Sequence, residues 1–416
     1  MSVPVILRRR LRPAYQAVLL QGLPPAFSFT RASAANYFNA SGALQSASSN
    51  APRFDYDPVS GAARGLLMEG QSTNVIRNSA LAGASVGAPG SMPTNMAKSA
   101  PAGVTHSVAG TGTEYGMPYI DVRFQGAPGA TGQCYLSFEF ASSIAAAQND
   151  IWTLSAYVRL AGGTLANISS LSVSMNEFNS SLAYVTGGSN ACAPTSTLKR
   201  YALTRTLSNV STAFLQPLIN FTVTSGQAID VTFRFYQPQL EKSALMTSAI
   251  VTAGSAATRA ADICTMPVSA LGYNGASGAI ILKGSMQYAG TSGTPWLLSM
   301  DDGTSGNRFG LHAAMGSPPR MYGMLKSGGS TVFDTSFGSI SAEAAETDVK
   351  WGMGFAPGSF LSSRNGQSGA SGASFASPAV TTLNLGGGDA AWNGWIKQFD
   401  FYNIPLTQAQ LNARTI

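Results

Sequence analysis

IWTLSAYVRL (Ile151–Leu160) alternates strictly, with Trp152, Leu154, Ala156, Val158 and Leu160 on one face and Thr153, Ser155, Tyr157 and Arg159 on the other. A strand imposes this period of two because its successive side chains point to opposite sides. One face is therefore core. Val231, Phe233 and Phe235 alternate with Thr232, Arg234 and Tyr236 in the same way. Tyr119 to Phe124, Cys134 to Phe140, Leu171 to Met175, Tyr201 to Leu207 and Phe214 to Phe221 are further short runs, separated by Gly, Ser and Asn turns and lacking a helical period. Such a series predicts an antiparallel sandwich over residues 103–241.

A second set of strands follows Asp262: Gly278 to Tyr288, Trp296 to Met300, Arg308 to His312, Arg320 to Lys326, Val332 to Phe337, Trp351 to Ala356, Thr381 to Leu385 and Trp395 to Tyr402. In the closing segment GWIKQFDFYNIPLTQAQL (Gly394–Leu411), Thr407 is followed three residues later by Gln410, the pattern of a capping box, and Pro405 precedes it. One short helix is expected there, with Leu406 and Leu411 tucked against a sheet. This segment resembles the end of a concanavalin or laminin G-like sandwich, here residues 263–416. The first sandwich resembles jelly-roll carbohydrate-binding modules, notably where its last strand ends in Gln239, Leu240 and Glu241. A superfold by itself names no ligand.

Between Phe27 and Ser79 the turn Asn39–Gly42 separates Tyr37 and Phe38 from Leu44, and Asp57–Gly61 repeats the device before Leu66, Leu67 and Met68. Both read as β-hairpin turns. The same stretch carries FTRA (Phe29–Ala32), APRFDYD (Ala51–Asp57), GLLME (Gly65–Glu69) and Thr73 with Asn74 in a fixed order, and Thr258–Asp262 (TRAAD) lies further on. In these patterns the chain resembles bacteriophage virion spikes and fibres, departing only softly at Met68, Gly70 and Val75, where related sequences tend to have Ile, Glu and Leu. The resemblance implies a non-enzymatic structural protein on the surface of a phage head or tail. It also implies a homotrimer that docks on other virion proteins (capsid, portal or tail) and meets host cell-surface glycan. The hairpin reading accounts for the turns without it.

Composition narrows the rest. A chain of 416 residues exceeds one ordinary core. Charged residues make up only 11%, while 45 Gly with abundant Ser, Thr and Ala fill the surface, and 44% hydrophobic residues argue against disorder. Such a neutral surface suits an outward-facing β protein or one buried against copies of itself. A net charge of +6 is mild for this length and gives no footprint for nucleic acid. Its one concentration, Arg8, Arg9, Arg10 and Arg12 among Val3, Val5 and Leu7, marks residues 1–28 as the virion attachment segment, followed by the hairpin module at 29–80. The order of RRRLR before an apolar stretch is that of a signal peptide, but Tyr15, Gln16, Gln21, Pro24 and Pro25 interrupt it. No apolar run is long enough for membrane insertion. Ala80 to Ala102, mostly Gly, Ala, Ser, Pro and Asn, reads as a linker or long loop. Cys134, Cys192 and Cys264 share no metal spacing, and a phage protein folds in a reducing cytosol, so free thiols are expected, with a Cys134 to Cys192 bridge left open.

Candidate chemistry is thin. His106 and His312 are the only imidazoles. No carboxylate pair of the kind a glycosidase needs is apparent, and Asp55 and Asp57 read as holders of turn amides. Neither a Gly-x-Ser-x-Gly elbow nor a β-helix repeat is present. Asp301 and Asp302, opening the loop to Asn307, are the metal candidate, with Ca²⁺ as the ion such a loop would take and no other cofactor implied. Trp392, Trp395 and Tyr322 are the candidate platforms for stacking a pyranose face. The reading that results is an all-β virion surface protein binding host glycan, assembled in the host cytoplasm, not an enzyme; a glycan-degrading depolymerase is the alternative.

Overall fold

A computed structural model describes residues 11–287, 293–315, 320–339 and 347–416. The described chain is antiparallel β-sheet with a single short α-helix, and it divides into two compact units. One is Arg31–Ala63 with Gly70–Ala261; the other takes the chain up to Thr30, Arg64–Glu69 and Asp262–Ile416.

The first unit is the jelly-roll sandwich. Its five-stranded sheet runs Lys199–Thr206, Ile151–Gly163, Ile229–Glu241, Met117–Gly126, Val104–Glu114. The facing sheet runs Tyr184–Ala191, Ile168–Phe178, Phe214–Val223, Gly132–Ser137, Ala97–Ser99, with Ile144–Ala145 added on Phe214–Val223. Between them Trp152, Leu154, Ala156 and Val158 join Val122, Phe124, Val231, Phe233 and Phe235 against Leu136, Val173, Met175, Ile219 and Phe221. Phe124 meets Phe221 edge-on at 5.1 Å, the preferred geometry for two ring quadrupoles. The core face read from the alternation is the core face observed.

The other face holds a difference, because Thr153, Ser155 and Tyr157 are buried as well. That half of the sheet is roofed. The hairpin Ala35–Phe38/Leu44–Ala47 sets Phe38 edge-on to Tyr157 at 5.9 Å and builds a second small core with Met117, Leu198 and Tyr236. The chain after Glu241 closes the remainder: Thr153 Oγ1 donates to the Ser243 carbonyl at 2.8 Å, and Arg200 reaches Ser155 Oγ at 2.9 Å and the Thr247 carbonyl at 2.7 Å. Buried polar groups require such partners, and Thr153 and Ser155 each have one.

Several of the residues in the ordered sequence patterns are structural ties within this unit. Asn74 is fully buried, donates Nδ2 to the carbonyls of Pro238 and Ile250, and accepts at Oδ1 from the amides of Ile76 and Leu240. Arg31 donates to the carbonyls of Ser33, Ser48 and Ala51, and Arg53 to the Asn36 carbonyl and Ser248 Oγ. Asp57 holds the amides of Val59 and Ser60 in its turn, as read, whereas Asp55 accepts the Phe38 amide at 2.7 Å. Gly42 completes the hairpin turn at φ 75°, where a Cβ would lie 2.4 Å from the Pro58 carbonyl oxygen.

The second unit is also a sandwich. Its seven-stranded sheet runs Ser28–Thr30, Ile263–Pro267, Thr382–Leu385, Trp296–Asp301, Arg308–Ala314, Arg320–Ser327, Ser330–Ser339. Facing it are Gln367–Gly372, Ser359–Arg364, Val349–Ala356, Gly278–Met286 and Gly394–Tyr402, with Leu66–Met68 pairing on Gly394–Ile396. Phe309 of one sheet packs 5.0 Å from Phe355 of the other. Helix Gln408–Arg414 carries the expected capping box at Thr407 and Gln410, and it buries Leu406 and Leu411 against Ala279, Ile281 and Tyr402.

Two boundaries need correction. Residues 11–28 are not a free attachment peptide, because Tyr15–Val18 pairs with Gly394–Tyr402 and buries Ala17 and Leu19, with Tyr15 packed 6.1 Å from both Phe27 and Phe399. Arg12 is exposed, and Arg8, Arg9 and Arg10 lie outside the described residues. Residues 29–80 form no body of their own: apart from the local hairpin Ala35–Phe38/Leu44–Ala47, strands of this stretch pair with partners distant in sequence, Phe29 with Cys264, Thr73 with Thr258, Leu67 with Trp395. Of the two readings of Ala80 to Ala102, the structure shows the long loop, with its Gly87 bridged to Val108 and its Ala82 and Thr94 carbonyls held by Asn78. The three cysteines are free, and burial pushes the Cys134 thiol up to about 12.

Asn74→Ala orphans two buried amides and two buried carbonyls. It is expected to lower unfolding stability by about 2–4 kcal/mol in denaturant titration. Truncation through Pro25 removes the strand Tyr15–Val18 and is expected to lower the melting temperature of the unit that contains it, followed by calorimetry.

Candidate functional site

Beyond the roofed half, the outward face of the five-stranded sheet is open. The register sets Tyr119 opposite Tyr236, Asp121 opposite Arg234, and Arg159 opposite Arg234 on the other side. These side chains point outward because Ile120, Val122, Phe233 and Phe235 fill the core between the sheets. Arg234 is the centre. Its Nε and Nη2 donate to the two oxygens of Asp121 at 2.7 Å each, and its Nη1 donates to Glu114 Oε2 at 2.9 Å. The guanidinium lies 3.5 Å above the Tyr119 ring. Glu114 further accepts from Arg159 Nη2 at 2.9 Å and from the Tyr236 hydroxyl.

These groups are reachable, with side-chain exposures of 16% for Arg234, 17% for Arg159 and 32% for Glu114. Bare backbone clears the approach. A Cβ on Gly110 would stand 2.9 Å from Asp121 Oδ2, and one on Gly112 would stand 2.9 Å from Tyr119 Oη. Arg123 and Asp230 extend the face as an exposed pair at 2.7 Å.

Two guanidinium groups against two carboxylates make the cluster neutral. Burial pushes the Glu114 carboxyl up, but the hydrogen bonds from Tyr236, Arg234 and Arg159 outweigh it and hold the group below its ordinary range. Burial, reinforced by Glu114, raises the Tyr236 phenol. A carboxylate held ionised donates no proton at neutral pH, so Glu114 is poorly suited to protonating a leaving group. It offers directional donors and acceptors beside aromatic carbon without net charge, the chemistry that a neutral polyhydroxylated ligand uses.

The residues expected from sequence lie elsewhere. Trp392 is fully buried, donates Nε1 to the Ser285 carbonyl at 3.0 Å and packs edge-on to Trp351 at 5.8 Å, because the loop folds back and bonds its amide to Gly386. Trp395 is 1% exposed within its strand, with the Arg64 guanidinium 4.7 Å above its ring. Neither is a sugar platform. Tyr322 is half-buried on the outward side of the seven-stranded sheet, and one ring face is already stacked on His312 at 5.4 Å, whose Nε2 is 3.0 Å from Asp334 Oδ1. Asp301 is buried and held by Ser299 Oγ, Asn384 Nδ2 and the Gly303 amide. Asp302 holds the Thr304 amide and hydroxyl and Asn307 Nδ2. The two carboxylates serve their own turn, and no third His, Cys, Asp or Glu stands with them among the described residues. That donor set does not fit Ca²⁺, which takes about six to eight oxygens.

Glu114, Asp121, Arg159 and Arg234 were missed as a site. Their signal was charge placed inside alternating strands in a chain with few charges, where a turn would be the ordinary location.

No protein-family model and no curated protein matches the chain. Among solved structures it is similar to the CBM40 module of a Ruminococcus gnavus IT-sialidase bound to α2,3-sialyllactose, at 18% identity over 34% of this chain and 83% of that one, TM-score 0.28. Trypanosoma rangeli sialidase in complex with the inhibitor DANA gives 11% identity over 73% and 61%, TM-score 0.29. Domains LG4–5 of the mouse laminin α1 chain give 10% over 63% and 92%, TM-score 0.24. At these values no ligand or activity passes to this chain.

Because Glu114 has a depressed folded-state pKa, its contribution to stability is fully present above its ordinary value of 4.5 and is lost as the pH falls through the lower folded value. Glu114→Gln is expected to flatten the stability profile in that acid window, and an unchanged profile in acid-dependent melting would contradict the assignment.

Proposed function

We propose that this protein is a non-enzymatic glycan-binding protein on the surface of a bacteriophage particle, a head spike or fibre or a tail fibre, that engages host envelope glycan through the face around Arg234 and Tyr119. The observation that carries the glycan reading is the open, charge-balanced cluster of Glu114, Asp121, Arg159 and Arg234 on tyrosine rings, left uncovered by Gly110 and Gly112. A neutral site of this kind gains from hydroxyl pairs without a charged ligand having to be desolvated. The particle setting is supported by the order of the FTRA, APRFDYD, GLLME, Thr73–Asn74 and TRAAD patterns. A homotrimer docked on other virion proteins suits the sparsely charged surface, which can be buried against itself at low desolvation cost.

Calorimetric titration with oligosaccharides released from host surface polysaccharide is the test. Arg234→Ala is expected to weaken binding about tenfold or more, a loss of about 1.4 kcal/mol. Gly112→Val places a side chain over Tyr119 without removing any charge and is expected to do the same. Unchanged affinity in both variants would sink the assignment of this face, and new reducing ends appearing in the mixture would overturn the non-enzymatic reading.

A further inference from the structure

The roof hairpin and the chain after Glu241 also enclose a space the glycan face does not use. Hairpin residues Ala34, Ala35, Asn36 and Ser46, the strand Ala257–Arg259 and the crossover Ala249–Val251 line an open cavity of about 240 Å³. At about 30 Å³ per water this is room for roughly eight waters, enough for one sugar ring with a substituent but not for a chain of rings.

Its wall chemistry is specific. The cross-strand pair Asn36 and Ser46 sets an amide and a hydroxyl side by side, and Thr258 adds a second hydroxyl, 2.7 Å from Thr73 Oγ1. Asn36 Nδ2 is committed to the Ala249 carbonyl at 2.9 Å, which fixes the amide and leaves Oδ1 as the acceptor. Ala34, Ala35 and Ala257 are the small apolar residues of the wall, and Val251, also part of it, is 38% exposed. No carboxylate lines the space, so it is not a cation site. Its single cation, Arg259, gives N–H groups to the carbonyls of Gly70 and Ala260, which directs that charge at backbone. No aromatic ring is present, so a plain hexose finds no stacking surface. A group carrying both a methyl and an amide N–H fits on both counts.

We propose that this cavity is a second saccharide site, specific for the acetamido group of an N-acetylated hexose, with the methyl against the alanine side chains and the N–H donated to Asn36 Oδ1. The site extends the glycan-binding reading and is built from residues other than those of the face around Arg234.

Methyl-labelled alanine NMR of the intact chain tests it, with N-acetylglucosamine and glucose as probes. N-acetylglucosamine is expected to shift the Ala34, Ala35 and Ala257 methyl signals saturably, with at least about tenfold preference over glucose. Ala34 is exposed, so Ala34→Leu fills the mouth at little cost to folding and is expected to abolish the remaining shifts. Gly112→Val is expected to leave them intact. Silent alanine signals at millimolar sugar, or equal shifts with glucose, overturn the proposal. If those signals stay silent while oligosaccharide still binds in an Arg234-dependent way, this second site falls and the first reading stands; the converse result separates them the other way.

Discussion

A buried side-chain amide must spend its whole hydrogen-bonding capacity inside the protein, and Asn74 does so on four backbone groups at once. Through them it fixes the end of the strand Ile229–Glu241 to the crossover at Ile250. Glu241, equally buried, accepts from Ser72 Oγ and from the Thr247 amide and hydroxyl next to this tie. Once Ile250 and Thr247 are held, Ser248 is in place for Arg53 and the Ala249 carbonyl is in place for Asn36. The hairpin over the sheet therefore hangs on a chain of satisfied polar groups rather than on a large apolar contact.

That roof decides where the open face begins. Phe38 and the hairpin cover Tyr157 and part of Tyr236, and the uncovered strip starts at Glu114, Arg159 and Arg234. Polar groups beside a small apolar core are partly desolvated, which strengthens their mutual attraction and keeps them ordered for a ligand. Several carboxylates of this unit, Glu114, Glu139, Glu177 and Asp121 among them, are paired with arginine, so the surface presented to a partner is hydrogen-bonding and close to neutral.

The two aromatic residues that looked most available show why composition alone misplaces a site. A tryptophan after three glycines reads as a loop tip, yet the loop folds back and Trp392 fills a gap against Trp351 with its indole nitrogen satisfied. Burying an indole gains far more than exposing it, provided that the N–H finds an acceptor. Asp301 and Asp302 teach the same lesson for carboxylates, since a turn with unpaired amides recruits them first.

The local patterns were decided by sequence alone. The alternation in Ile151–Leu160 and Val231–Tyr236 specified strand and core face, Thr407 with Gln410 specified the last helix, and Asp57 specified its turn, because each depends on neighbours a few residues apart. Tertiary structure decided which outward face was roofed, which edge Tyr15–Val18 would pair with, how residues 29–80 would be shared between two units, and that Glu114, Asp121, Arg159 and Arg234 would meet. Each of these depends on pairing between residues far apart in the chain, where register and burial are settled by the sheet as a whole and a local period of two says only which way a side chain points.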